Sequence, residues 1–202
     1  MPATLAAYPA TRLRRLRRSA QIRSLAQENT LVVGDLIWPI FLRDGYDVAE
    51  PIASMPGVAR LSIDRAVRAA EEAATLGIPA LCLFPHTDAD RRTETCEEAW
   101  SDENLVNRAI RAIKAEVPEI AIMTDIALDP YNANGHDGFV KDGVIVNDET
   151  IEALVKMALA QADAGADILG PSDMMDGRIG AMRAALEAAG HQDVAILSYS
   201  AK

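Results

Sequence analysis

The stretch DETIEALVKMALAQADAGADILGPSDMMDGRIGAMRAALEAAGHQDVAILS, residues 148–198, decides the fold. Asp148 offers a side-chain oxygen to the free amides of a starting helix, apolar residues recur at helical spacing to about Ala164, and Gly165 ends the run. A short strand, Asp167 to Leu169, follows. A turn-rich loop, Gly170 to Gly177, leads into a second helix, Arg178 to Ala189, stopped by Gly190, and then into a strand, Val194 to Ser198. Two strands joined by a covering helix run parallel in one sheet.

The same plan extends upstream. A strand over Leu36 to Leu42 precedes an irregular Gly/Pro stretch to Gly57 and an alanine-rich helix, Ile63 to Leu76, ended by Gly77. A strand from Ala80 to Phe84 leads through polar Asp88, Asp90, Arg91 and Arg92 to a helix near Glu103 to Glu116, whose apolar side carries Leu105, Ile110 and Ile113. Pro118 separates it from a strand, Ile120 to Thr124, and a long loop from Asp125 to Asn147 completes the pattern. Five strand-then-helix alternations mean a parallel sheet covered by helices, in either a doubly wound sheet or a barrel. No strand is followed by a Gly-x-Gly-x-x-Gly or Walker-type turn, so a nucleotide has no phosphate cradle. A barrel needs eight such units in about 250 residues. The chain reaches only the fifth strand, which leads us to expect the front part of a longer enzyme.

With 202 residues, half of them apolar and only 4% aromatic, the composition fits one soluble globular domain with a substantial core. No apolar run approaches the roughly 20 residues of a membrane span, the longest being broken by Pro39. Cys82 and Cys96 have no CxxC spacing, which argues against a disulfide scaffold and for a reducing cytoplasm. The formal charge of −10 is unevenly spread. Residues 1–27 hold six of the 20 basic groups (Arg12, Arg14, Arg15, Arg17, Arg18, Arg23) and no acid, which leaves 14 basic against 30 acidic elsewhere, a net −16. Such a body repels nucleic acid. The basic head reads as a nucleic-acid arm, a transit peptide, a solvated tail, or an arm that docks on the acidic body of another subunit, the last being favoured.

In either architecture the reactive groups stand at the carboxyl ends of strands. They are Pro85 to Asp88, Asp125 to Gly138, Pro171 to Asp176, and Tyr199 to Lys202. A lysine such as Lys202, at the end of an interior strand, is partly desolvated, which lowers its pKa from about 10.4 and frees a neutral amine to form a Schiff base with a ketone. The alternative is a lysine whose ammonium reaches water. Tyr199 and Ser200 flank it and are read as packing and pairing locally.

Ser198-Tyr199-Ser200-Ala201-Lys202, Gly170-Pro171-Ser172-Asp173-Met174-Met175-Asp176-Gly177-Arg178-Ile179, and Thr124-Asp125-Ile126-Ala127-Leu128-Asp129-Pro130-Tyr131 with Gly135-His136-Asp137-Gly138 closely resemble the porphobilinogen synthase (5-aminolevulinate dehydratase) family. Arg14 to Arg18, Ser54 to Val58 and Arg108 to Lys114 extend the likeness in the family's order. The resemblance implies an α/β fold, a (β/α)8 TIM barrel of which about five of eight units are present over residues 35–202, preceded by an N-terminal arm over residues 1–34 that serves a homo-octamer. It implies condensation of two 5-aminolevulinate molecules to porphobilinogen with loss of two waters, in tetrapyrrole synthesis. Lys202 then matches one of two Schiff-base lysines, Asp125 an aspartate near the substrate amino group and its proton transfers, and Ser172 a residue that hydrogen-bonds near the lysines.

Zinc-dependent relatives carry three cysteines where this chain has Ala127, Asp129 and Asp137. Without thiolates zinc is disfavoured. The resemblance therefore implies no cofactor at the catalytic site, with magnesium or a monovalent cation on Asp129 and Asp137 as the alternative. His136 is read as serving loop structure, and Glu97, Glu98 and Asp102 as a solvated surface. Expected partners are 5-aminolevulinate and further copies of the chain, with neither nucleic acid nor membrane. The rival readings are another Schiff-base aldolase barrel, which would need a phosphate site, and a non-catalytic fragment or assembly module.

Overall fold

The structure, a computed structural model, describes residues 6–200, so Lys202 lies outside the described residues, as do the first five residues of the arm. The chain divides into two compact units, one up to Val32 and the other from Val33. The first holds a 3-10 turn over Arg15–Arg17 and a short helix α1, Ala20–Leu25, capped by the Ser19 hydroxyl, which accepts from the Ile22 amide at 3.2 Å. Neither element buries a residue, and Leu13, Leu16 and Leu25 are 59–85% exposed. A six-residue helix lies below the length at which helices persist alone in water.

In the second unit the elements are β1 (Ile37–Leu42), β2 (Ala49–Pro51), β3 (Ala59–Leu61), α2 (Ile63–Leu76), β4 (Ala80–Pro85), α3 (Leu105–Glu116), β5 (Ala121–Ile126), β6 (Phe139–Lys141), β7 (Val144–Val146), α4 (Asn147–Ala164), β8 (Ile168–Pro171), α5 (Arg178–Ala189) and β9 (Ala195–Ile196). The main sheet has the order β2-β3-β1-β4-β5-β8-β9. Within it β1, β4, β5, β8 and β9 are parallel neighbours in strict chain order. A doubly wound sheet reverses its strand order at a switch point; this one does not, and helix packs on following helix from α2 through α5. The five strands therefore form an arc of a barrel with one outer helical layer.

Alternation along the strands sorts the two faces. Ile40, Leu42, Leu81, Leu83, Ile122 and Leu169 join the helix residues Ala66, Ala70, Ala73, Ile110, Ile113, Leu154, Met157, Met182 and Leu186 in one buried cluster. Each fully buried Leu or Ile contributes about 1.5–3 kcal/mol. The alanines of α2 leave that helix close to the sheet. Cys82 and Met123 are as buried but stand apart from the cluster, on the concave face. Pro39 sits within β1 and pairs with Cys82 on one side; β3 reaches only Phe41 and Leu42 on the other, so the missing amide leaves no ladder bond unmade.

Several expected boundaries shift. The region after β1, expected to be irregular, carries β2 and β3, and β3 extends the sheet beside β1. Asp148 does not cap α4: the helix begins one residue earlier, without a side-chain cap, and Asp148 lies in its first turn, where a carboxylate favours the helix dipole. The helix expected from Glu103 begins at Leu105, because buried Asn104 caps it, accepting from Asn107 N at 2.8 Å. The loop from Asp125 is not one loop. Asp125 belongs to β5, and β6 and β7 form a hairpin turned by Asp142 (φ 50°) and Gly143 (φ 77°), the positive-φ pair that a two-residue hairpin requires.

Candidate functional site

Met123 faces a cavity of about 240 Å³ on the concave side, lined also by Ile37, Pro39, Cys82, Phe84, Leu197 and Tyr199. Two residues on, Asp125 shares that face of β5. Its register partner on β8 is Gly170, whose missing side chain matters. A Cβ there would meet Met123 Cε at 2.5 Å, the Thr124 carbonyl oxygen at 3.0 Å and Tyr199 Cε2 at 3.3 Å. Tyr199, expected to pack only locally, thus stands in the lumen, and its amide donates to Pro171 O at 3.3 Å.

The Ser172 hydroxyl donates to Asp125 Oδ1 at 2.6 Å, so two of the sequence-derived site residues meet across the ends of β5 and β8. Electrostatics ties Asp125 to its surroundings. Burial first, then the Asp125 charge, pushes the Cys82 thiol up to about 12. Burial, followed by Cys82 and Asp125, raises the Tyr199 phenol above its ordinary value. Fully buried Tyr131, six residues past Asp125, is raised by burial, then by Glu98 and Asp125, with Arg91 opposing. No local periodicity in the sequence marks Tyr131, a buried phenol in a turn.

The loop that carries Ser172 is held from several sides. Asp173 Oδ1 accepts from Met175 N at 2.8 Å, and its Oδ2 lies 2.9 Å from Arg178 Nε, while Arg178 Nη1 donates to Met175 O at 3.0 Å. Burial raises the Asp173 pKa from its ordinary value, against the lowering by the Met175 amide and Arg178. Asn147, at the start of α4, accepts from Asp176 N at 2.8 Å and donates to Asp176 O at 3.2 Å. That amide pair would be invisible in sequence, since 29 residues separate the partners.

Ala127 offers no donor atom, and among the described residues no three His, Cys, Asp or Glu side chains converge as a metal-ligand group, so Asp129 and Asp137 do not form part of such a cluster. His136 Nδ1 accepts from Gly138 N at 3.0 Å, a bond internal to its loop. Glu98 departs from the solvated surface expected of it. It is half-buried and pairs with Arg91, whose other arm reaches Asp44 Oδ2 at 2.9 Å, and Arg108 pairs with the second Asp44 oxygen. These four charged groups tie together the segments that follow β1 and β4.

Comparison with known proteins gives a consistent result. The model of the family described as Delta-aminolevulinic acid dehydratase matches residues 10–202. The chain is 63% identical over 195 residues to the delta-aminolevulinic acid dehydratase of Rhodobacter capsulatus, covering 96% of this chain and 59% of that protein. With the protein of the same description from Bradyrhizobium diazoefficiens it shares 54% over 193 residues, covering 96% and 55%. The crystal structure of delta-aminolevulinic acid dehydratase (porphobilinogen synthase) from Toxoplasma gondii ME49, in complex with the reaction product porphobilinogen, superposes with a TM-score of 0.89 at 43% identity, covering 94% of this chain and 54% of that one. The chain spans about half the length of the curated relatives it matches.

Proposed function

The chain belongs to the delta-aminolevulinic acid dehydratase family, and from that we propose that its protein condenses two molecules of 5-aminolevulinate to porphobilinogen and two waters. The observation that carries this reading is the Ser172–Asp125 pair at the carboxyl ends of β5 and β8, on the same concave side as the cavity lined by Cys82, Met123 and Tyr199.

In the proposed chemistry the neutral Lys202 amine adds to the substrate ketone and water leaves, giving an iminium. The iminium draws electrons from the adjacent carbon, whose proton passes to a base so that a bond to the second substrate can form. Asp125 is the base and hydrogen-bond acceptor we assign to the substrate amino group, and Ser172 holds its orientation. Low polarity in the lumen, expressed in the raised Cys82 and Tyr199 pKa values, favours an uncharged amine there.

We further propose that the arm, residues 1–34, docks on a neighbouring copy in a homo-octamer, with residues 35–202 forming the catalytic barrel's first part. Exposed leucines and six arginines on the arm, against an acidic remainder, support this. Catalysis without a bound metal is favoured by the donor set, since Ala127 replaces a ligand; magnesium or a monovalent cation is the second choice and zinc the last. Two buried free thiols fit a reducing, cytoplasmic setting.

The test is borohydride reduction of the intact protein with 5-aminolevulinate, followed by peptide mass mapping. A substrate-sized mass gain on the peptide holding Lys202, absent in Lys202→Ala, is expected; an unmodified Lys202 overturns the assignment.

A further inference from the structure

A second cavity, of about 220 Å³, opens at the same end of the sheet as the candidate site and is lined by Phe41, Ile52, Met55, Arg60, Phe84, Pro85 and His86. It lies between the ends of β1, β3 and β4, and Phe84 is also a wall of the lumen cavity. We propose that this second cavity binds a short aliphatic carboxylate, with the carboxylate on Arg60 and His86 and the methylenes against Phe41, Phe84, Ile52 and Met55.

The charge of the ligand follows from what faces the cavity. Among the described residues, Arg60 and His86 are its only ionisable lining groups. A single carboxylate, Glu50, is shared between two guanidinium groups: it pairs with Arg43 and lies 3.3 Å from Arg60 Nη1. One positive charge therefore stays uncompensated beside the cavity. His86 is held below its usual pKa first by burial and then by Arg60, with Arg92 and Arg43 adding to the effect and Asp88, 3.7 Å away, opposing it. Such a field repels ammonium groups and attracts anions, and a planar guanidinium matches a carboxylate with two parallel hydrogen bonds.

Size and walls set the rest. Pockets for drug-sized ligands run about 300–1,000 Å³, so this one admits a smaller molecule. The Phe41 and Phe84 rings stack at 5.6 Å, giving a firm apolar wall for an aliphatic chain. The site stands on residues other than the lysine chemistry proposed above, so each can fail without the other.

The test follows the His86 ring signals by NMR in the intact protein, with His86 assigned from His86→Gln. Levulinate, which lacks the amine, is one probe and 5-aminolevulinate the other. Levulinate is expected to move the His86 signal saturably, with a midpoint in about the millimolar range. Arg60→Gln should weaken that midpoint by about tenfold or more, and Arg60→Lys, the gentler second variant, by a few-fold. Lys202→Ala should leave it unchanged. A response to both probes identifies the substrate as a source of the carboxylate, and a response to levulinate alone identifies a free acid; either supports the site. No saturable movement at His86 overturns it, as does movement indifferent to both Arg60 variants. Loss of the response in Lys202→Ala also overturns it, because the ligand would then sit in the lumen.

Discussion

Ser172 and Asp125 meet through one hydrogen bond of 2.6 Å that joins the ends of neighbouring parallel strands 47 residues apart in the chain. An O–H donor to a carboxylate at this distance is a charge-assisted bond, worth about 1.5–3 kcal/mol where partly shielded from water. Its position makes it a means of orienting Asp125 rather than of holding the sheet, since strand pairing already does that.

Ser172→Ala should therefore reduce porphobilinogen formation by roughly ten- to a hundredfold through kcat, with a smaller change in KM, while Asp125→Asn should cost about 10²–10⁴. Steady-state kinetics of the intact protein measure both. Equal, small effects from the two variants would mean that neither carboxylate nor hydroxyl touches the reaction.

Gly170→Ala should destabilise the fold by about 1–3 kcal/mol, because the new methyl would press on Met123, on Tyr199 and on the Thr124 carbonyl, which cannot turn aside. Gly180 lies in α5, and a Cβ there would meet nothing within 4 Å. Gly180→Ala should stabilise by up to about 1 kcal/mol. Urea unfolding of the two variants side by side reads the contrast in sign.

Asn104 is buried and serves three partners: it accepts from Asn107 N at 2.8 Å and donates to Glu98 O at 3.2 Å and Ala99 O at 3.1 Å. Asn104→Ala should cost about 2–3 kcal/mol in denaturant midpoint and slope analysis, since a cap is lost and two carbonyls lose their donor.

Both thiols are pushed up to about 12, chiefly by burial, with Asp125 acting on Cys82 and Glu97 on Cys96. The folded state thus retains thiol protons that the unfolded chain releases, and stability falls as pH rises from about 9 towards about 12. Below about 9 neither state releases them and the effect vanishes. Cys82→Ala should flatten part of the alkaline limb of the stability curve. At pH 8 iodoacetamide should label both cysteines at least about a hundredfold more slowly in the native protein than in urea; rapid native labelling would contradict the burial.

Much of this architecture is written locally. Gly77, Gly165 and Gly190 end their helices in left-handed conformations, as the sequence predicts, because a residue without Cβ adopts them at little cost. The apolar runs around Ala80, Ile122 and Ile168 became strands for an equally local reason: continuous apolar character suits a strand covered on both faces. Locally misleading signals explain the misses. Asp148 has the side chain of a cap, yet the helix begins at Asn147 and Asp148 falls in its first turn. The Asp142-Gly143 pair between Phe139–Lys141 and Val144–Val146 was a readable hairpin signal, hidden inside a segment taken as one loop.

Amino-acid order alone determined the alternation of the five parallel strands with the helices between them, the glycine stops of three of those helices, and the residues that could do chemistry at strand ends, since each depends on conformational preferences and hydrophobic periods within a few residues. It left open whether the sheet turned back on itself or curved onward. The strict β1-β4-β5-β8-β9 neighbour order settled that, and with it the meeting of Ser172 with Asp125, the clamp of Asn147 on Asp176, and the seating of Tyr199 against Gly170. These contacts join residues tens of positions apart, and their energies come from burial and register, quantities that exist only once the chain has packed.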